Sequence, residues 1–148
     1  MPHRFTLSTT LPAAPQTVYD CWLDSAGHSA MTGGAATASD RIGGAFTAWD
    51  GYISGRNLAL EPGRRIVQSW RTTRFAAADP DSIVTLTLAP VAGGAALTLE
   101  HADVPDGDAH KGYENGGWAD HYFTPMRAYF AGQAGAAGGS FDMPKGTP

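Results

Sequence analysis

Five side chains able to bind a metal ion or move a proton stand between positions 101 and 110: His101, Asp103, Asp106, Asp108 and His110. Imidazole nitrogens and carboxylate oxygens are common zinc donors, but these residues follow no recurring zinc spacing. Asp106-Gly107-Asp108 is equally the composition of a turn whose carboxylates cap a helix. We read the segment as turn and cap, with no metal and no cofactor. His101 has a second use open to it, because an imidazole titrating near neutral pH can act as a general base or donate to a ligand carbonyl. Its plainer use is as a hydrogen-bonded histidine at a strand end. Gln68 is the other polar side chain at an inward position, and a buried polar group without a partner costs about 1–3 kcal/mol.

Nucleophilic and phosphate-binding signatures are absent from the sequence. No Gly-x-Ser-x-Gly elbow surrounds Ser82, and Ser54-Gly55 lacks the leading glycine. Gly43-Gly44 has no companion lysine motif. Arg64 and Arg65 follow a turn and read as a solvated edge. Cys21, the one cysteine, excludes an intrachain disulfide and reads as a small buried hydrophobe.

The elements that hold these residues follow from periodicity. Phe5, Leu7, Thr9 and Leu11 alternate with polar residues, which predicts a strand over 4–11. Pro12 and Pro15 break it, and Pro15 suits the first turn of a helix carrying Val18, Tyr19, Trp22 and Leu23 on one stripe. A second short helix over 25–31 ends at Gly33-Gly34. Strands follow over 45–49, 52–61, 65–72, 83–88 and 96–101, with turns at Asp50-Gly51, Pro62-Gly63 and Gly93-Gly94. Ile53 and Leu58 have opposite parity, which predicts a bulge near 55–57. Val84, Leu86 and Leu88 should face inward, as should Leu97, Leu99 and His101. Trp118, Tyr122, Met126 and Tyr129 form one face of a last helix ending near Phe130, kinked at Pro125. Gly112, Gly116 and Gly117 weaken that helix, so packing must hold it. The expected organisation is one domain over 1–131 and a flexible Gly/Ala/Pro-rich tail over 132–148.

The chain has 148 residues and a formal charge of −4. That length suits one domain burying roughly two thirds of its unfolded surface. No basic run points to nucleic acid. No stretch approaches the roughly 20 apolar residues of a membrane helix, and no signal peptide is evident, so the expectation is a cytoplasmic protein without a membrane partner. Segregated strands and helices argue for an α+β fold.

This order resembles the START-like (SRPBCC) superfamily, which includes the birch-pollen-allergen fold and the aromatase/cyclases. Stretch 43–58, Gly-Gly-Ala-Phe-Thr-Ala-Trp-Asp-Gly-Tyr-Ile-Ser-Gly-Arg-Asn-Leu, resembles its Gly-rich strand and hairpin. Stretch 61–70, Glu-Pro-Gly-Arg-Arg-Ile-Val-Gln-Ser-Trp, resembles the turn and strand ending in tryptophan. Leu97-Thr-Leu-Glu-His101, Val104-Pro105, Gly117-Trp118 and Tyr122-Phe-Thr-Pro-Met126 resemble its last strand and C-terminal helix. Together they resemble the bacterial branch related to the activator of the heat-shock protein 90 ATPase.

The resemblance spans residues 4 to 130. It implies a helix-grip fold: a curved antiparallel sheet of about six to seven strands around a long helix, with a cavity between them. Phe46, Trp70, Leu97, Leu99, Trp118, Tyr122 and Met126 would line that cavity, with Gln68 and His101 as polar contacts. The leading expectation is a non-enzymatic domain binding a small hydrophobic or aromatic molecule. A cyclase or hydrolase using His101 with Tyr122 or Gln68 is the alternative. A co-chaperone-like module contacting a chaperone is the third reading, and a homodimer is compatible with each.

Overall fold

The computed structural model describes residues 3–105 and 117–139, with side chains through Gly132. Six strands form one sheet: β1 (His3–Leu11), β2 (Ala45–Ala48), β3 (Ile53–Glu61), β4 (Arg65–Thr72), β5 (Ser82–Val91) and β6 (Gly94–Val104). Their spatial order is β1-β6-β5-β4-β3-β2, and every neighbouring pair is antiparallel. Two short helices, α1 (Pro15–Trp22) and α2 (Ser25–Thr32), carry the chain from one edge strand to the other. Residues 117–118 are helical, a π turn spans Ala119–Phe123, and α3 (Thr124–Gly139) completes the segment.

Local chemistry explains these boundaries. Pro15 opens α1, where a missing N–H costs nothing. The Asp24 carboxylate caps α2 by accepting from Gly27 N at 2.7 Å, and Gly33 ends it with a left-handed φ of 87°. Val18, Tyr19 and Trp22 then meet the inner sheet face. That face carries Ile66, Gln68 and Trp70 from β4, Val84, Leu86 and Leu88 from β5, and Leu97, Leu99 and His101 from β6, all buried as the period of two predicts.

Three elements differ from expectation. The bulge in β3 falls one residue later than predicted: Asn57 faces Gln68 and Ala59 faces Val67, leaving Leu58 as the extra residue. It does not bury Leu58, which stays 46% exposed. Instead it lets polar Asn57 point inward and then returns Leu60 to the core side. Asn57 takes that place because its amide donates to the Ser39 and Arg41 carbonyls, at 2.7 and 2.9 Å, and so pins the loop before β2. Gly55 is required beside it, since a side chain there would collide with the Ser69 carbonyl and the Phe46 ring. Second, α3 runs to Gly139, past the end near Phe130 and into the segment read as tail. The apolar stripe stops there, but alanines continue, and extending a formed helix costs little. Third, Trp49 lies in the turn after β2, not in the strand. The Asp106–Asp108 cap, Gly112 and Gly116 lie outside the described residues.

Replacing Leu58 with lysine should change the unfolding free energy measured by urea titration by less than about 0.5 kcal/mol. Asn57→Ala, which deprives the Gln68 amide and two loop carbonyls of partners, should cost about 2–3 kcal/mol. Equal costs would show that the bulge does not divide these residues as described.

Candidate functional site

A cavity of about 260 Å³ lies between the β2–β3 end of the sheet and the start of the C-terminal helical segment. Among the described residues its lining comes from three places. Trp49 and Tyr52 belong to the β2–β3 turn; Ile53, Trp70 and Thr72 come from β3 and β4; Gly117, Trp118, His121 and Tyr122 come from the helix. Two backbone irregularities present these groups.

The first is the turn. Trp49, Asp50 and Gly51 all have left-handed φ, at 51°, 59° and 88°. That conformation is a steric outlier for a residue as bulky as tryptophan. Tertiary contacts hold it: Asp50 N donates to Ala35 O at 2.9 Å, and the Trp49 indole lies against Gly34, where any Cβ would collide with its ring. The indole also meets the His121 ring edge-to-face, with centroids 5.2 Å apart.

The second is the π turn. Thr124 N bonds to Ala119 O, five residues back. In a regular α-helix the Pro125 ring would strike the His121 carbonyl, so the wider turn relieves the clash and takes the place of the predicted kink. It leaves Tyr122 and Phe123 both buried and sets His121 beside the cavity.

Beneath the cavity two hydrogen-bonded relays cross the core. In one, the Trp118 indole N–H donates to His101 Nδ1 at 3.2 Å. An indole can only donate, so the neutral His101 carries its proton on Nε2 and gives it to Ser82 Oγ at 2.7 Å. Ser82 donates in turn to the Trp70 carbonyl at 2.6 Å. This direction is the reverse of a nucleophile–base pair, in which the serine proton would point at the imidazole. Burial pushes His101 down to about 3, so it stays neutral.

In the other relay, the Tyr122 hydroxyl donates to His28 Nε2 and His28 Nδ1 donates to the Trp22 carbonyl, both at 2.8 Å. The Trp22 indole donates to Gln68 Oε1 at 3.1 Å, and Gln68 Nε2 to Asn57 Oδ1 at 2.8 Å. Burial lowers His28 as well, against a smaller opposing effect from its backbone bond.

Of the residues the sequence singles out, Trp70, Trp118 and Tyr122 meet at the cavity. Phe46, Leu97, Leu99 and Met126 pack in the surrounding core, and Gln68 and His101 are spent on the relays. Asp103 is exposed, and Asp106, Asp108 and His110 lie outside the described residues. Sequence reasoning missed Trp49, Tyr52, Ile53, Thr72 and His121. Strand parity sends Trp49 outward, and only the left-handed turn brings it back.

A larger hollow of about 710 Å³ lies among Asp20, Cys21, Asp24, Asp40 and Tyr129. Its thiol is pushed up to about 12, first by burial and then by Asp24, and so is no nucleophile at neutral pH. We favour the smaller cavity because aromatic rings make up most of its described lining.

The model of one protein family, the activator of Hsp90 ATPase homolog 1-like proteins, matches residues 12–131. The chain belongs to this family. A Dictyostelium discoideum homolog of the activator of 90 kDa heat shock protein ATPase is 32% identical over 81 residues. The match covers 55% of this chain but 21% of that protein, so the chain spans about a fifth of the length of that relative. An HSP90 activator from Plasmodium falciparum superposes with a TM-score of 0.76 at 20% identity, covering 86% of this chain and 96% of the other. A Chromobacterium violaceum protein superposes at 0.68 with 31% identity, covering 88% and 98%. The fold is thus the helix-grip, START-like one. No described helix is long and apolar enough to cross a membrane.

The neutral histidines set a pH dependence. An unfolded histidine titrates near 6.5 and folded His101 near 3, so stability is complete above pH 6.5 and is lost as pH falls toward 3. Between pH 6.5 and 5, His101 alone should remove about 2 kcal/mol, with His28 adding in the same direction. Urea midpoints at pH 8, 6.5 and 5 measure this. A midpoint that does not fall would show that the folded state accepts the protons.

Proposed function

We propose that the domain binds a small, largely apolar aromatic molecule in the cavity beside Trp49, Trp70 and Trp118. The observation that carries this reading is the aromatic lining: three indoles, two phenol rings and one imidazole border a hollow of about 260 Å³. Such surfaces offer π faces and edges for offset stacking. Ligand pockets run from about 300 Å³ upward, so this one suits a molecule of about two fused rings. The lining supports binding over catalysis. Among the described residues it holds one imidazole, His121, and no carboxylate, thiol or amine.

Binding should alter tryptophan emission, since Trp49, Trp70 and Trp118 all sit on the cavity wall. Micromolar affinity, about 8 kcal/mol, is expected for a fitting bicyclic compound. A broad panel of aromatic compounds producing no saturable change in fluorescence, with none detected by calorimetry, would sink the reading.

Family membership supports a second role, contact with an Hsp90-type chaperone. Ile42 is 68% exposed and Leu58 46%, and the bond from Gly43 N to Asn57 O at 2.8 Å joins their two segments. Exposed apolar side chains of this kind are where a partner protein gains most from contact. If this surface docks, the domain should change the ATPase rate of a purified Hsp90, and Ile42→Asp with Leu58→Asp should abolish the change while leaving the melting temperature intact. No effect of the unaltered domain, or an undiminished effect of the double variant, would remove this surface from consideration.

A further inference from the structure

We infer that the larger hollow, bordered by α1, α2 and α3, binds a linear aliphatic polyamine whose separate ammonium groups pair with Asp20, Asp24 and Asp40. This site shares no described lining residue with the aromatic cavity and does not depend on it. All three carboxylates line the hollow of about 710 Å³, and its described lining holds no lysine, arginine or histidine. None of the three makes an ion pair with a described residue. Asp20 accepts from Gln16 Nε2 at 2.8 Å and Asp24 from Gly27 N at 2.7 Å, each through one oxygen, which leaves the other for a ligand. The Asp40 carboxylate accepts from no described residue.

A buried phenol points to the same occupant. Tyr19 is 7% exposed, and its ring packs in the apolar core. Its hydroxyl has no hydrogen-bond partner among the described residues. Yet its oxygen is not sealed from solvent: the sealed, unpaired polar side-chain atoms among the described residues are the indole nitrogens of Trp49 and Trp70. The Tyr19 oxygen therefore reaches the hollow that the residue lines, where it can accept from an ammonium group. Burial raises this phenol above its ordinary value, and the charges of Asp20 and then Asp40 raise it further, which places it in the field of both. Burial, then Cys21 and Asp24, raise the Tyr129 phenol in the same way.

The spacing of the carboxylates selects the shape of the cation. No three His, Cys, Asp or Glu side chains among the described residues stand close enough to hold a metal ion. A compact divalent ion needs its oxygens to converge within about 2.6 Å of one centre. It would meet one carboxylate here and leave the others unpaired. Leu23, Tyr129 and Phe130 supply apolar wall. Methylene segments cover such a wall while charged ends stay with carboxylates, as the stem of a lysine does, and an ammonium over a phenol ring is attracted by its face. An alkyl chain carrying several ammonium groups meets all of these conditions.

The test titrates the full chain with spermidine, putrescine and butylamine, which carry three, two and one ammonium groups. Exposed ion pairs are individually weak, so each added ammonium should tighten binding about three- to fivefold. In a ¹H–¹⁵N spectrum spermidine should move the amide resonances of Asp40 and Tyr129 and leave the Trp118 indole in place. Magnesium at the same concentration should not displace it. Asp40→Asn should weaken spermidine about threefold. Asp103→Asn, which removes an equal charge from an exposed residue outside the hollow, should leave its affinity unchanged. Tyr19→Phe keeps the ring, removes the hydroxyl and should also weaken it about threefold. Equal affinity for the three amines, displacement by magnesium, or equal losses in the two aspartate variants would mean only diffuse attraction to an acidic protein and overturns the site. So does the absence of saturable binding, or a set of moved resonances that excludes Asp40 and Tyr129.

Discussion

The hydrogen bond from the Trp118 indole to His101 joins the C-terminal helical segment to the sheet, and much of the interior is arranged around it. Because an indole cannot accept, its position decides which imidazole nitrogen holds the proton, and the imidazole decides which way Ser82 points. The chain of donors ends on the Trp70 carbonyl, so the helix is tied through side chains to the backbone of β4. A buried polar chain is stable only when every member is satisfied, which fixes the helix's depth against the sheet. That depth leaves the cavity on one side of Trp118 and a filled core on the other.

The second relay performs a parallel task farther out. From Tyr122 through His28, Trp22, Gln68 and Asn57 it runs across the core to the loop carbonyls of Ser39 and Arg41. Helix, sheet and edge loop are thereby fixed relative to one another, and the apolar cluster fills the space between them. The cavity sits where both relays start, among Trp118 and Tyr122, and where two strained or widened turns meet: the left-handed turn at Trp49 and the π turn ahead of Pro125.

Much of this was legible in the sequence. The inward faces of β4, β5 and β6 follow from alternation, because antiparallel strands with one buried face obey a period of two. Trp118, Tyr122 and Met126 read correctly as one helical face because that spacing survives the widened turn. What the sequence did not show is what stands across a gap. Parity places Gln68 and His101 inward, but their partners Trp22 and Trp118 lie 46 and 17 residues away. Local pattern extends the strand to Trp49, whereas its backbone is set by Gly34 and Ala35, neither of them near it in sequence. The sequence implies a bulge for an apolar reason, the parity of Ile53 and Leu58, whereas the structure places it to serve the polar side chain of Asn57.

The strand order has a temporal side. Although β1 comes first in the chain, its sole partner in the sheet is β6, with Leu11 opposite Ala95 and Phe5 opposite His101. On the ribosome, roughly 90 residues must follow before that pairing can form, a delay of about 5–20 s at ordinary synthesis rates. During it the inward residues of β1 have no sheet to rest on, while β3, β4 and β5 can each pair with the strand before them as they emerge. The edge farthest from the cavity is therefore the last to close, and a nascent chain would have its Trp49 turn and β4 tryptophan in place before its first strand is secured.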